Sequence, residues 1–314
     1  MTAQQLTSQS PSDTADTVET RLLEIIDKAL EAVDQAMYDA VDSEVEVLRD
    51  ASRHILQSGG KRVRPRLMML SFAATGGADL LKAVQPAAAI ELMHTASVVH
   101  DDINDHGVMR RGRPSVNAIW GRTFALLTGD FLFTKVYELM APYDNLNVVL
   151  AEGAIALVEG ETLQAAAVKE NKLTSETYMQ IIGLKTAALF RSGAIIGGRL
   201  AGATEKEIEA LSTFGYNVGL AFQIIDDILD LTGSDEQLGK TSGIDRTQGK
   251  GISSVTDVSD SIKNKLLEGD RLERARAQAK GLVTQAIEVL EVIPASPYRD
   301  ELVNLAHSVI NRKR

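Results

Sequence analysis

The chain has 314 residues, 44 % of them hydrophobic, no cysteine, and a formal net charge of −10. That length allows one large domain or two, with ample apolar material for a core. Zero cysteines exclude disulfides and thiolate metal sites and fit a reducing, cytoplasmic setting, while the acidic balance excludes general nucleic-acid binding, which needs a basic surface.

Met1 to Asp16 is rich in Ser, Thr and Gln and holds no Lys or Arg. It lacks the basic start and apolar stretch of a secretory signal and the arginines of a transit peptide. Residues 1–17 therefore read as a disordered tail, and 18–314 as one folded domain. From Val18 onward, apolar residues recur at three- and four-residue spacing, the helical period. Val18 to Val47 presents Leu22, Ile25, Ile26, Ala29, Leu30, Val33 and Met37. The same period runs through Ala87 to Asp105, Arg122 to Met140, Leu146 to Ala167 and Thr174 to Ala203. It resumes in Glu205 to Leu231, Leu272 to Val292 and Arg299 to Asn311. Breaks fall at Ser58-Gly59-Gly60, Gly76-Gly77, Gly112-Arg113-Pro114, Gly233-Ser234 and Pro294 to Pro297, where turn chemistry is expected. No run of alternating strands is visible, and no uninterrupted apolar run is long enough to span a bilayer. The pattern predicts an all-α protein, a single large domain of packed helices.

Two aspartate clusters stand out: Asp101-Asp102-Ile103-Asn104-Asp105 and Asp226-Asp227-Ile228-Leu229-Asp230. Each reads D-D-x-x-D. Residues four apart on a helix share a face about 6 Å apart along the axis, so Asp101 pairs with Asp105, and Asp226 with Asp230. Like charges at that spacing repel, and hard divalent cations with oxygen ligands offset the repulsion. One such cluster alone is ordinarily a solvated helix face. Here both lie in apolar sequence, after Thr95 to Val99 and after Ala221-Phe222-Gln223-Ile224-Ile225. Acidic residues are rarely buried unless paired or metal-bound, so the clusters predict a polar, metal-binding cleft within a hydrophobic body.

The basic residues complement them. Lys61, Arg62, Arg64 and Arg66 follow Gly59-Gly60 just before a helix start near Pro65, and Arg110-Arg111-Gly112-Arg113-Pro114 follows the first cluster. Lys185-Thr186 lies within a helical segment, while Lys240 and Lys250 lie in the Gly-rich stretch after the second cluster. Helix N-termini favour anions and arginine matches phosphate oxygens. A basic run is usually a solvated or nucleic-acid face, yet these cations fall beside glycine breaks or aspartates in an acidic protein. Carboxylates for metal and cations for phosphate together suggest a diphosphate substrate.

These motifs, with Glu91-Leu92-Met93-His94, Gly160-Glu161-Thr162-Leu163-Gln164 and Gln223 ahead of the second cluster, resemble the trans-isoprenyl diphosphate (polyprenyl) synthases in type and order, from about Glu19 to Arg314. The resemblance implies antiparallel helices around a central cavity, a homodimer, and three Mg²⁺ per active site. It implies that Asp101 and Asp105 share two ions, that Asp226 holds the third, and that Asp102, Asp227 and Asp230 act partly through water. It further implies that Arg110, Lys185 and Lys240 grip an allylic diphosphate, that Lys61, Arg64, His94 and Arg111 grip isopentenyl diphosphate, and that Lys250 also binds substrate. Thr186 and Gln223 would stabilise the allylic carbocation.

Product length, on the same resemblance, depends on the residues preceding Asp101. Ala96 and Ser97 are small where relatives making short products carry aromatics, and Ala89 is small one turn below Met93. This disfavours a C15 product and prefers C30 or longer, with C20 geranylgeranyl diphosphate second. After Lys250 the chain reads Gly251-Ile252-Ser253-Ser254-Val255 where many relatives have a Thr- and Pro-containing stretch. A terpene cyclase would pair one D-D-x-x-D with a different metal motif and lack the Gly-Gly-Lys segment. A non-catalytic subunit of a heteromeric synthase would tend to lose an aspartate motif, and both are intact.

Overall fold

The helical period is realised along nearly the whole chain. The computed structural model describes residues 11–232, 250–255 and 268–312. In order, it contains α1 (Pro11–Ala40), α2 (Glu46–Gln57), α3 (Val63–Ala74), a 3₁₀ turn (Leu80–Ala83) and α4 (Val84–Asn104). After a short hairpin come α5 (Val116–Met140, kinked at Gly121) and α6 (Leu146–Glu170). Next are α7 (Ser175–Ile182), a π-helical turn (Gly183–Ala187), α8 (Ala188–Ala201) and α9 (Glu205–Thr232). The chain closes with 3₁₀ turns at Ile252–Ser254 and Leu290–Val292, α10 (Glu268–Val289) and α11 (Pro297–Ile310).

Three expectations change. Helix α1 begins at Pro11, inside the segment 1–17 read as a tail; proline suits a helix start because the first-turn N–H has no partner anyway. The rest of that tail lies outside the described residues. The continuous period over Val18 to Val47 is two helices. Ser43 Oγ accepts the Val45 N–H at 3.1 Å, a local bond that competes with helix continuation. Finally, Met109–Arg110 pairs antiparallel with Arg113–Pro114 where no strand was expected. Arg111 and Gly112 both have positive φ, 49° and 75°, the twist that closes a two-residue hairpin.

Helices α4 and α9 run through the centre. Helix α4 is apolar on almost every side, burying Ala87, Ala88, Ala89, Ile90, Leu92, Met93, Ala96 and Val99, as a helix must when neighbours surround it. It packs chiefly along α5 and α1, and α9 along α8 and α10. A Cβ on Gly219 would sit 2.6 Å from Ala187 Cα, so glycine there lets α9 touch the backbone of the π turn. The run Ser175–Ala201 has the length and hydropathy of a membrane span, which the sequence reading did not anticipate, but 78 % of its most apolar 18-residue window is buried within the bundle, as in a core helix.

Candidate active site

The π turn joins the two aspartate segments. Its wider ring re-aims successive side chains, the usual reason such turns occur at functional sites. Lys185 Nζ lies 3.5 Å from Asp101 Oδ2 on α4. Its neighbour Thr186 donates from Oγ1 to Gln223 Oε1 on α9 at 2.8 Å, three residues before Asp226. A second link comes from the segment after α9. The Ile252 N–H donates to Asp227 Oδ2 at 3.1 Å, and two residues earlier Lys250 pairs with Asp105. The structure thus brings both clusters to one site.

Each carboxylate of the first cluster meets a cation. Besides Asp101, Lys185 reaches Glu161, with which it forms a short ion pair, and Gln164 Oε1 at 3.1 Å. Burial alone would lower the Lys185 pKa, but Asp101 and Glu161 override it and hold the ammonium above its usual range. Burial and the neighbouring Asp101 push Glu161 up to about 7, with Lys185 opposing. Asp102 is buried, and Arg110 grips its Oδ1 through Nη2 at 2.5 Å and Nε at 3.0 Å. Burial raises the Asp102 pKa and Arg110 partly offsets that.

In the second cluster, Asp226 faces Arg312 Nη2 at 3.0 Å, and that guanidinium lies 4.4 Å from the Phe222 ring centroid. Asp227 points inward. It accepts Tyr178 Oη–H and Gln223 Nε2–H, both at 2.8 Å. Asp230 is also buried.

Beside the first cluster lies a small basic cleft, lined by Gly59, Arg62, His94, Thr95, Arg110 and Arg111 among others. Arg62 sits in the left-handed region (φ 48°) and spans two acids, Asp34 at 2.6 Å and Glu91 at 3.0 Å. It is a structural tie between α1, α3 and α4. Arg64 is buried with its guanidinium 4.7 Å from the Phe190 ring, and no carboxylate pairs with it among the described residues. Burial lowers its pKa to about 10. Burial also lowers the pKa of Arg111. It pushes His94 well below 6.5, and Arg64, Arg111, Arg110 and Arg62 reinforce the effect, so the imidazole is neutral at pH 7. Among the described residues, Arg62 and Arg110 in this cleft are paired with carboxylates and Arg111 forms no salt bridge.

The expected residues divide accordingly. Asp101, Asp105, Asp226, Lys185, Thr186, Gln223 and Lys250 come together. His94 and Arg111 line the cleft, and Arg64 lies beside them. Arg110, expected on the allylic diphosphate, is committed to Asp102. Lys61 is exposed and does not line the cleft. Lys240 lies outside the described residues. Sequence reasoning gave no role to Glu161, Tyr178 or Arg312; Glu161 stood in a quoted motif, whereas nothing in the sequence singled out the other two. The all-oxygen donor set, crowded enough to raise Glu161, suits a hard divalent cation, although no three carboxylates form a ready metal cage among the described residues.

Residues 45–289 match the model of the family described as polyprenyl synthetase. The chain belongs to the polyprenyl synthetase family. It is similar to the octaprenyl diphosphate synthase of Escherichia coli K12, at 33 % identity over 94 % of this chain and 99 % of the relative. Among solved structures, it resembles a polyprenyl synthase from Caulobacter crescentus, complexed with calcium and isoprenyl diphosphate. That match has a TM-score of 0.86 and 30 % identity, covering 94 % of this chain and 98 % of the other. The geranylgeranyl pyrophosphate synthetase from Pyrococcus horikoshii gives a TM-score of 0.83 at 36 % identity, covering 94 % and 99 %. As a family member the protein is a prenyltransferase acting on isoprenyl diphosphates, with the all-α isoprenoid synthase fold.

Proposed function

We propose that the protein condenses an allylic diphosphate with isopentenyl diphosphate head-to-tail, giving an all-trans polyprenyl diphosphate of C30 or longer. It works in the cytoplasm as a homodimer with three Mg²⁺ per active site. The observation carrying this reading is the π turn, which sets Lys185 against the first aspartate cluster and Thr186 against the residue leading into the second. Exposed apolar side chains on α5 and α6, including Phe124, Leu127, Tyr137, Ile155 and Val158, support a second copy packed on that face.

Asp101 and Asp105 would hold two of the ions and Asp226 the third. When bound, Mg²⁺ neutralises charge on the departing diphosphate. Lys185 and Lys250 take the allylic diphosphate, whose C–O bond breaks with the electron pair leaving on oxygen. Arg64, Arg111 and neutral His94 orient isopentenyl diphosphate. Its double bond forms the new C–C bond with the allylic carbocation, and the resulting cation loses a proton to the released diphosphate. Thr186 donates its proton to Gln223, so its oxygen lone pairs remain for the carbocation.

Ala89, Met93, Ala96 and Ser97 fall four and three or four residues apart on α4 and are all buried, one stripe below Asp101. The small members leave space for a long chain. Buried Met93, large and one turn deeper, favours C20 as the second reading. Purified protein supplied with Mg²⁺ and both diphosphates, followed by sizing of the dephosphorylated product, tests the proposal. EDTA should abolish turnover; product at C20 or below, or turnover in EDTA, refutes it.

A further inference from the structure

The aspartates of the second cluster face different surroundings. Consecutive helical residues are rotated by about 100°. Asp226 is partly exposed and faces Arg312, whereas Asp227 looks into the bundle, where it is 5 % exposed. Among the described residues, its carboxylate receives donors from three elements: Gln223 Nε2 one turn earlier on α9, Tyr178 Oη on α7, and the Ile252 backbone N–H. Tyr178 is itself 5 % exposed. An ionised carboxylate only accepts hydrogen bonds. Gln223 must therefore present its NH₂ to Asp227 and its carbonyl to Thr186. That orientation makes Thr186 the donor in its bond to Gln223. A chain of hydrogen bonds thus runs from Asp227 through Gln223 to Thr186, beside Lys185. The same carboxylate pins Ile252, two residues from Lys250, whose ammonium ends on Asp105.

We infer that Tyr178 and Asp227 are positioning residues that fix the polarity of the Gln223–Thr186 pair and anchor the segment carrying Lys250, and that Asp227 holds no metal. The inference rests on the proposed prenyl transfer at this site. Asp227 Oδ2 already accepts both the Tyr178 Oη–H and the Ile252 N–H: an ion bound there would strip hydrogen bonds from a buried tyrosine and a backbone N–H, each costly to leave unpaired.

The test compares D226N, D227N, Y178F and the double variant Y178F/D227N in the full-length protein. Mn²⁺ binding by EPR is measured alongside kcat and KM. Y178F removes one buried donor and should lower kcat about tenfold and raise KM for the allylic diphosphate. D227N supplies an NH₂ that turns Gln223 around, and should lower kcat further. Both should keep wild-type Mn²⁺ affinity and stoichiometry, whereas D226N should weaken or lose an ion. The double variant should be no slower than D227N, since both substitutions act through one network. A merely destabilised protein would lose Mn²⁺ binding and turnover together. Loss of Mn²⁺ in D227N comparable to D226N, wild-type kinetics in Y178F, or additive losses in the double variant would overturn the inference. If D226N binds Mn²⁺ normally, the metal assignment fails by itself, and Y178F with the double variant still decides the positioning role of Tyr178 and Asp227.

Discussion

A single methyl group at Gly160 should slow prenyl transfer sharply while leaving the protein folded. Gly160 lies inside α6, where Ala is normally better than Gly by about 1 kcal/mol. Its added Cβ would stand 2.7 Å from Lys185 N, 3.0 Å from Leu184 Cβ and 3.1 Å from Lys185 Cα. Two of these atoms belong to backbone, which has no rotamer to escape into. Ordinary contact begins near 3.4 Å, so the π turn must retreat by about 0.7 Å (3.4 − 2.7). Overpacking of this kind costs about 1–3 kcal/mol, and the helix-propensity gain offsets part of it, so net destabilisation should stay below about 2 kcal/mol. Catalysis suffers more, because the displaced residues are Lys185 and Thr186. Misplacement approaching 1 Å costs up to about a hundredfold, so kcat should fall by about ten- to a hundredfold. Incorporation of isopentenyl diphosphate, measured beside chemical denaturation, separates the two effects. Gly153→Ala on the same helix is the control: its Cβ would meet the Ser192 hydroxyl at 2.5 Å, a small group that can rotate, so it should cost stability with kcat held within about twofold. If Gly160→Ala keeps wild-type kcat, or loses no more than Gly153→Ala, the π turn does not set the geometry of the reaction.

Other outcomes follow from burial and charge. Ala96→Phe should shorten the product while turnover stays measurable, because an aromatic would fill the stripe below Asp101; chromatography of the dephosphorylated product reads the result, and unchanged length removes Ala96 from the cavity. Arg64→Met should raise stability by about 1–3 kcal/mol, since it removes a buried cation that no carboxylate among the described residues pairs. The same change should raise KM for isopentenyl diphosphate about tenfold or more, and a less stable variant with normal KM would contradict both halves. The folded-state pKa of His94 is depressed, so its contribution to stability is complete above pH 6.5 and declines as pH falls, when the unfolded chain takes up a proton the fold refuses. His94→Asn should flatten stability against pH below 6.5, and an unchanged slope in denaturation series would show that His94 titrates freely.

Much of this site was legible because its residue types are chemically demanding. Two D-D-x-x-D clusters in apolar sequence pointed to an acidic site within a hydrophobic body, and Lys185 and Thr186, read only as helical, fall in the π turn that joins them. Which cation meets which carboxylate was not legible. Arg110 reads as a phosphate ligand until the positive φ angles of Arg111 and Gly112 fold the hairpin back and deliver it to Asp102. Tyr178 looks like any core tyrosine until α7 places it on Asp227. The helix break after Ala40 hinges on one serine hydroxyl that periodicity does not weigh. The pairings matter beyond the assignment of residues. Lys185 with Asp101, Lys250 with Asp105 and Arg312 with Asp226 set one of the protein's own cations against each of these three carboxylates in the resting site. A lone diphosphate would have to draw cations from these carboxylates, and a lone magnesium ion would have to displace the cations. Together, on the proposed reading, they exchange one set of pairs for another: carboxylates to magnesium, ammonium and guanidinium groups to phosphate. Charge balance therefore favours the two binding jointly, and an acidic protein needs no net positive surface to hold a diphosphate.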